Sequence, residues 1–227
     1  MSRIKSEELI KILTRYFDGK EEVREKALKL SREISKGSTA IIRKLHNQKK
    51  LNVNELLDDL KPLRTKYNDL KTNMSAYPEL YYSNMVENYI QEYAEAIIML
   101  DLIKNNLNVT KLPNPDTLGI PYSTYLLGLG DVIGELRRCT LDALRKKELS
   151  QAIEYLDTME KLYDIIIELN YTERVLPLRR KQDVARALIE KTRGELAFAV
   201  SEYSIVDNIT ELKKDLKMYY KKVVRKN

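Results

Sequence analysis

Four carboxylates in this sequence stand where carboxylates are costly. From Thr72 to Ile103 there is no Lys or Arg, and the charges are Glu79, Glu87, Glu92, Glu95 and Asp101. The whole chain is basic, with a net charge of +6 that includes these five acids, so the remainder carries +11. Solvent faces of helices normally mix signs, because opposite charges three or four residues apart attract and like charges repel. Met85, Tyr89, Glu92, Ala96, Met99 and Ile103 repeat at spacings of four and three, which defines one helix face, apolar except for Glu92. Glu95, three residues beyond Glu92, lies at the neighbouring edge of that face.

A second pair follows. Between Asp116 and Arg137 the only charged residues are Asp131 and Glu135, four apart in YSTYLLGLGDVIGELRR and so on one helix face. Gly128, Gly130 and Gly134 each weaken a helix by roughly 1 kcal/mol relative to Ala, which close backbone packing would offset. Two long helices joined by a loop pack antiparallel, so Glu92, Glu95, Asp131 and Glu135 converge if the register allows. A carboxylate in apolar surroundings needs a partner, a proton or a metal. Four together suit a hard cation such as Mg²⁺ or Mn²⁺. Spacing leaves two other arrangements open: each acid pairs with a base, for example Arg137 or Arg138, or Glu92 lies exposed at a helix edge.

Other chemistries lack their residues. The only histidine is His46 and the only cysteine Cys139, which excludes a Cys/His zinc site and the paired Glu-x-x-His of a di-iron bundle. There is no GxxxxGK[ST] loop, no GxGxxG and no serine elbow. A Cys139–His46 nucleophile pair stays open, although single residues of these types are mostly structural. Arg32, Lys36, Thr39, Arg43, His46 and Lys50 step by four and three and form a largely cationic face. That face suits either a phosphate backbone or plain solvent. Arg138 is a further RNA-binding candidate beside the second acid pair. Of the 15 tyrosines, Tyr81, Tyr82, Tyr89 and Tyr93 fall on the acidic helix, where some could stack on unpaired bases.

The elements that must position these groups are helices. The chain has 227 residues with 7 Gly and 6 Pro, and 33% of it is charged, which favours long helices over strands. Ile4 to Phe17 reads as a first helix, broken at Asp18-Gly19, with Asp18 and Glu21 as a capping box for a second to Lys50. Asn52 with Glu55 opens a helix to about Asn73, expected to kink at Pro62. The acidic helix runs from Pro78 to about Asn106. After a loop to Pro121, helices are expected over Ser123–Lys147, from Leu149 or Ser150 to Asn170, and over Thr172–Val200, followed by a basic one over Ile205–Val224. No linker divides them, so a single all-α domain over 1–227 is expected. One cysteine fits a reducing compartment. No stretch reaches a membrane span, and the first residues lack an apolar leader, so the expectation is a soluble, cytoplasmic protein.

Three segments resemble the translin family, and within it translin-associated factor X: LSREISKGSTAIIRKLH (Leu30 to His46), QEYAEA (Gln91 to Ala96) and YLLGLGDVIGELRR (Tyr125 to Arg138). Val175 to Glu195 is more loosely similar, and the likeness spans Lys29 to Phe198. Residues 205–227 lie beyond it as an added helix. The resemblance implies a translin-like bundle of about seven long helices, assembled as a hollow eight-subunit barrel. It implies binding of single-stranded RNA and Mg²⁺-dependent endonucleolytic cleavage inside the barrel, with the metal held by Glu92, Glu95, Asp131 and Glu135. Translin itself has apolar residues at most of those positions and binds without cutting. Eukaryotes mix the two chains, whereas a chain with factor X motifs could form the barrel alone, as a homo-octamer. Apolar residues beyond the stripe described above, between Met85 and Ile103, are expected at subunit contacts. Gly37 to Ile41 departs from the charged family pattern, so no family RNA contact is carried onto that helix.

Overall fold

A computed structural model describes residues 3–47, 52–81 and 84–224. They form eight helices, α1 (Ser6–His46), α2 (Val53–Met74), α3 (Pro78–Tyr81), α4 (Asn84–Lys104), α5 (Pro115–Leu118), α6 (Tyr122–Arg145), α7 (Leu149–Ile167) and α8 (Arg179–Val224), with no strand among the described residues. The all-α expectation holds. α4 lies between α1 and α6; α2 closes the bundle behind α1, and α7 and α8 close it behind α6. No helix among the described residues is long and apolar enough to cross a membrane.

The central place of α4 explains its composition. Val86, Ile90, Tyr93, Ala94, Ile97, Ile98, Met99, Leu100 and Leu102 are all buried, because α1 and α6 cover opposite sides of one helix. The apolar residues expected at subunit contacts are therefore core residues of the protomer. Large exposed apolar side chains lie elsewhere. Ile10 and Phe17 on the first half of α1 are 61% and 58% exposed, and Phe198 and Leu212, near the middle and in the last half of α8, are 72% and 62% exposed.

Two expected breaks are absent. α1 runs through Asp18-Gly19: a helical glycine costs only about 1 kcal/mol against Ala, and this one is met by Tyr77, whose Oη would stand 2.7 Å from a Cβ at Gly19. Tyr77 also donates to the Tyr16 carbonyl (3.3 Å), and Lys20 pairs with Glu79 (2.8 Å), so tertiary contacts hold the helix straight across the glycine. α8 runs through residues 200–205, which contain no breaker, and Tyr203 donates to the Leu144 carbonyl at 3.1 Å. Its start is later than expected, at Arg179 rather than Thr172. Pro177 disfavours helix at the residue before it, Val175 closes a turn on Thr172 (2.8 Å), and the Glu173 carboxylate accepts from the Arg179 amide (3.1 Å).

Of the expected Asn52–Glu55 capping box, the Asn52 half forms. The Asn52 side chain accepts from the amides of Asn54 (3.1 Å) and Glu55 (3.3 Å), while the Glu55 carboxylate pairs with Lys44 at 2.9 Å. α2 continues through Pro62. The loop before α6 contains the short α5, ended by Gly119 at φ +65. In the uncharged segment from Gly37 to Ile41, Gly37 is seated against Leu63 of α2 and Ser38 and Ile41 are buried, while Thr39 and Ala40 are exposed.

Candidate functional site

The site begins at a glycine. A Cβ on Gly128 would stand 2.9 Å from the Gln91 carbonyl oxygen, 2.9 Å from the Ala94 Cβ and 3.1 Å from the Glu95 amide. No larger residue lets α6 approach the α4 backbone this closely. That crossing sets Glu92 and Glu95 on one side and Asp131, one turn beyond Gly128, on the other. Gly130 lies under the stem of Lys181 on α8, which would meet an added Cβ at 3.4 Å, an ordinary contact. Gly134 meets only Leu188, at 3.9 Å.

All four predicted acids come together electrostatically. Glu95 is the innermost. Burial pushes its carboxyl up to about 8, and the charges of Asp131, Glu135 and Glu92 push in the same direction, with only Lys181 opposing. Glu95 makes no hydrogen bond or ion pair among the described residues. The other three are each engaged. Ser35 Oγ of α1 donates to Glu92. Gln91 Nε2 and Lys181 Nζ donate to the two oxygens of Asp131. His46 Nε2 meets Glu135, whose carboxyl is lowered from its ordinary value chiefly through that hydrogen bond. With the carboxylates turned to these partners, no three acidic, His or Cys side chains among the described residues are grouped to hold one ion.

Arg137 and Arg138, the expected salt-bridge partners, do little here. Arg137 turns to α8, pairing with Glu195 (2.8 Å) and donating to Thr192 (2.6 Å). Arg138 comes only within 4.0 Å of Glu135 and is otherwise exposed. The base on Asp131 is Lys181, which sequence reasoning missed along with Ser35 and Gln91. One signal pointed to it: Arg179, Arg180 and Lys181 are three cations at a helix N-terminus, where the macrodipole disfavours them.

His46 does not belong to the basic face. Its side chain is only 6% exposed and lies between Glu135 and the Cys139 thiol, whose Sγ is 3.6 Å from Nδ1. The helix turns this residue inward, so it is unavailable to a phosphate backbone. The Cys139–His46 pair therefore exists, but burial first and then Glu135 and Asp142 push the thiol up to about 12. A nucleophile must be a thiolate, so this pair is no nucleophile at neutral pH. Arg32, Lys36 and Arg43 are exposed, and none makes an ion pair among the described residues; Lys50 lies outside those residues. Of the tyrosines, Tyr93 is buried with its ring 5.1 Å from that of Tyr67, and Tyr81 hydrogen-bonds the Tyr67 hydroxyl (2.7 Å), so both serve the core. Tyr89 is half-buried, and Tyr82 lies outside the described residues.

Comparison with known proteins gives a consistent family signal. A family model described as the Translin family matches residues 22–193. An uncharacterized protein of Methanocaldococcus jannaschii is 34% identical over 198 residues, covering 87% of this chain and 85% of that protein. Among solved structures, one described as an AfC3PO–duplex RNA complex superposes with a TM-score of 0.73 at 28% identity, covering 85% of this chain and 97% of the other. Apo-NeC3PO gives a TM-score of 0.71 at 22% identity, covering 88% and 100%, a likeness of fold.

Proposed function

Since the chain belongs to the translin family, we propose that it is a metal-dependent endoribonuclease of the factor X type, cutting single-stranded RNA inside a closed homo-oligomer. The observation that carries this reading is the half-buried Glu95, on which three further carboxylates act at once. A protein gains no stability from such a cluster. Carboxylate oxygens are the donors that Mg²⁺ and Mn²⁺ prefer, and Glu95 has no protein partner among the described residues. Glu92, Glu95, Asp131 and Glu135 would hold the ion. When bound, it would activate a water and neutralise charge developing on the phosphate. The chain's own groups set the geometry: Gly128 fixes the α4–α6 approach, Ser35 orients Glu92, and His46 orients Glu135.

RNA binding draws support from the solved neighbour in complex with duplex RNA, and a cationic strip of Arg32, Lys36 and Arg43 is available on α1. The substrate proposed is a single strand, which can bend into an enclosed site as a stiff duplex cannot. Because the neighbour's complex holds duplex, that is the comparison to run. Exposed apolar side chains at the outer ends of α1 and α8 support assembly, since patches of this kind mark interfaces. Eight copies are proposed from the family resemblance, and the single buried, free Cys139 accords with a cytoplasmic setting.

A second reading is a nucleic-acid-binding translin-like protein that does not cut. The observation favouring it is the Lys181–Asp131 ion pair, together with the lack of any three ligand-type groups gathered for one ion among the described residues. Purified protein incubated with end-labelled single-stranded or blunt duplex RNA, in Mg²⁺, Mn²⁺, Ca²⁺ or chelator, decides between them. Internal cleavage of the single strand that EDTA stops is expected. Retention of RNA on a filter with no cleavage in any metal would establish the second reading. Light scattering should give a mass several times the 26.6 kDa protomer, and a monodisperse monomer would remove the enclosed-site reading.

A further inference from the structure

The Lys181 ammonium reaches the acidic cluster from an unfavourable place. α8 opens with Arg179, Arg180 and Lys181 and has no acid in its first turn, the reverse of what the macrodipole favours. Arg179 and Arg180 are exposed, whereas Lys181 is half-buried and its stem lies over Gly130, 3.4 Å from the position of an added Cβ. Its Nζ donates to Asp131 Oδ1, and the two side chains are 26% and 28% exposed. Gln91 takes the other oxygen of Asp131. Both Asp131 oxygens thus already accept from protein donors, one of them from a full positive charge.

We propose, resting on the metal-site reading above, that Lys181 is a resident counter-ion of the carboxylate cluster, which a divalent cation must displace from Asp131, so that Lys181 sets the affinity for metal. An ammonium and a divalent ion on the same carboxylate repel each other and compete for its lone pairs. The ammonium stands on a flexible four-carbon stem with solvent access, so it can withdraw without unfolding α8. The start of α8 and the acid pair on α6 are therefore coupled: the ion that enters is weighed against a positive charge the chain itself supplies.

The test compares wild type with Lys181→Met, which keeps length and removes charge, and Lys181→Arg, which keeps charge. Mn²⁺ is the probe, titrated and read by the electron paramagnetic resonance of the free ion, with thermal melts in EDTA and in Mn²⁺. Lys181→Met should bind Mn²⁺ more tightly, by up to about five-fold, the value of one half-exposed ion pair. It should melt below wild type in EDTA and regain the difference in Mn²⁺, while Lys181→Arg follows wild type. If Lys181→Met folds only with Mn²⁺, that too supports the proposal, and Lys181→Gln then supplies the affinity. Mn²⁺ binding by Lys181→Met no tighter than wild type overturns the counter-ion role and leaves the metal site standing. So does a melting deficit that Mn²⁺ does not restore, which marks a merely structural pair. Failure of all three proteins to bind Mn²⁺ removes the metal site itself, and this proposal with it.

Discussion

Replacing Glu95 with Gln removes a carboxyl held at about 8 in the folded chain against an ordinary value of 4.5. The folded state therefore grips this proton more tightly than the unfolded state does. The stability this confers is complete below pH 4.5, declines as pH rises from there to 8, and is gone above 8. At about 1.4 kcal/mol per pH unit, the decline is of the order of 5 kcal/mol over the whole window and about 3 kcal/mol by pH 6.5. Glutamine keeps the shape but buries an amide with no partner, which costs about 1–3 kcal/mol. In EDTA, Glu95→Gln should accordingly melt near or slightly below wild type at pH 5 and clearly above it at pH 8.5. The assay is a set of thermal melts from pH 5 to 9 in EDTA at fixed protomer concentration, because assembly makes melting temperature concentration-dependent. Wild type should lose stability across the window more steeply than the variant. Parallel profiles for the two proteins would refute the account, since they would mean that Glu95 titrates as an ordinary carboxyl.

Asp131→Asn should abolish cleavage and, in EDTA, change stability by less than about 1 kcal/mol, because it loses a half-exposed ion pair while relieving Glu95; undiminished cleavage in Mg²⁺ would exclude Asp131 from the site. Gly128→Ala should destabilise by about 1–3 kcal/mol through overpacking and lower activity further by parting α4 from α6. Gly194→Ala, where a Cβ meets nothing within 4 Å, should instead stabilise by about 0.5–1 kcal/mol, and urea melts of the two will show opposite signs. Charge reversal of Arg32, Lys36 and Arg43 together should weaken RNA binding uniformly across sequences and flatten its dependence on salt. An unchanged salt slope in filter binding would assign this face to solvent.

The acidic cluster was legible because burial of an acid breaks a strong rule. Five acids without a base from Thr72 to Ile103, and glycines at helical spacing around Asp131, are improbable as solvent faces. Helix type was legible throughout, but helix ends were not. Asp18-Gly19 carries every local mark of a break, yet Tyr77, some sixty residues away, fills the groove and keeps the helix whole. Likewise Tyr203 ties α8 to the end of α6 where an interruption was expected. Lys181 lies fifty residues from Asp131, and no local pattern pairs them. His46 fits the cationic spacing on α1 and still faces inward, because a stripe four and three apart drifts around a long helix and by His46 has reached Glu135 of α6.

The outer ends of α1 and α8 continue as helix well past the last residues that the bundle covers: the first buried residue of α1 is Ala27, and the last of α8 is Leu196. Beyond Tyr203, which donates to the Leu144 carbonyl, no side chain of α8 is buried among those described, over roughly six turns at 3.6 residues per turn. Such a segment opens locally at little cost unless something docks on it. The tail of α8 thus serves as a built-in gauge of association. In dilute solution its many lysines should be cut quickly by trypsin while the bundle from α1 to α7 survives. At high protein concentration the same sites should be shielded, so the ratio of trimmed to intact chain reads out assembly directly.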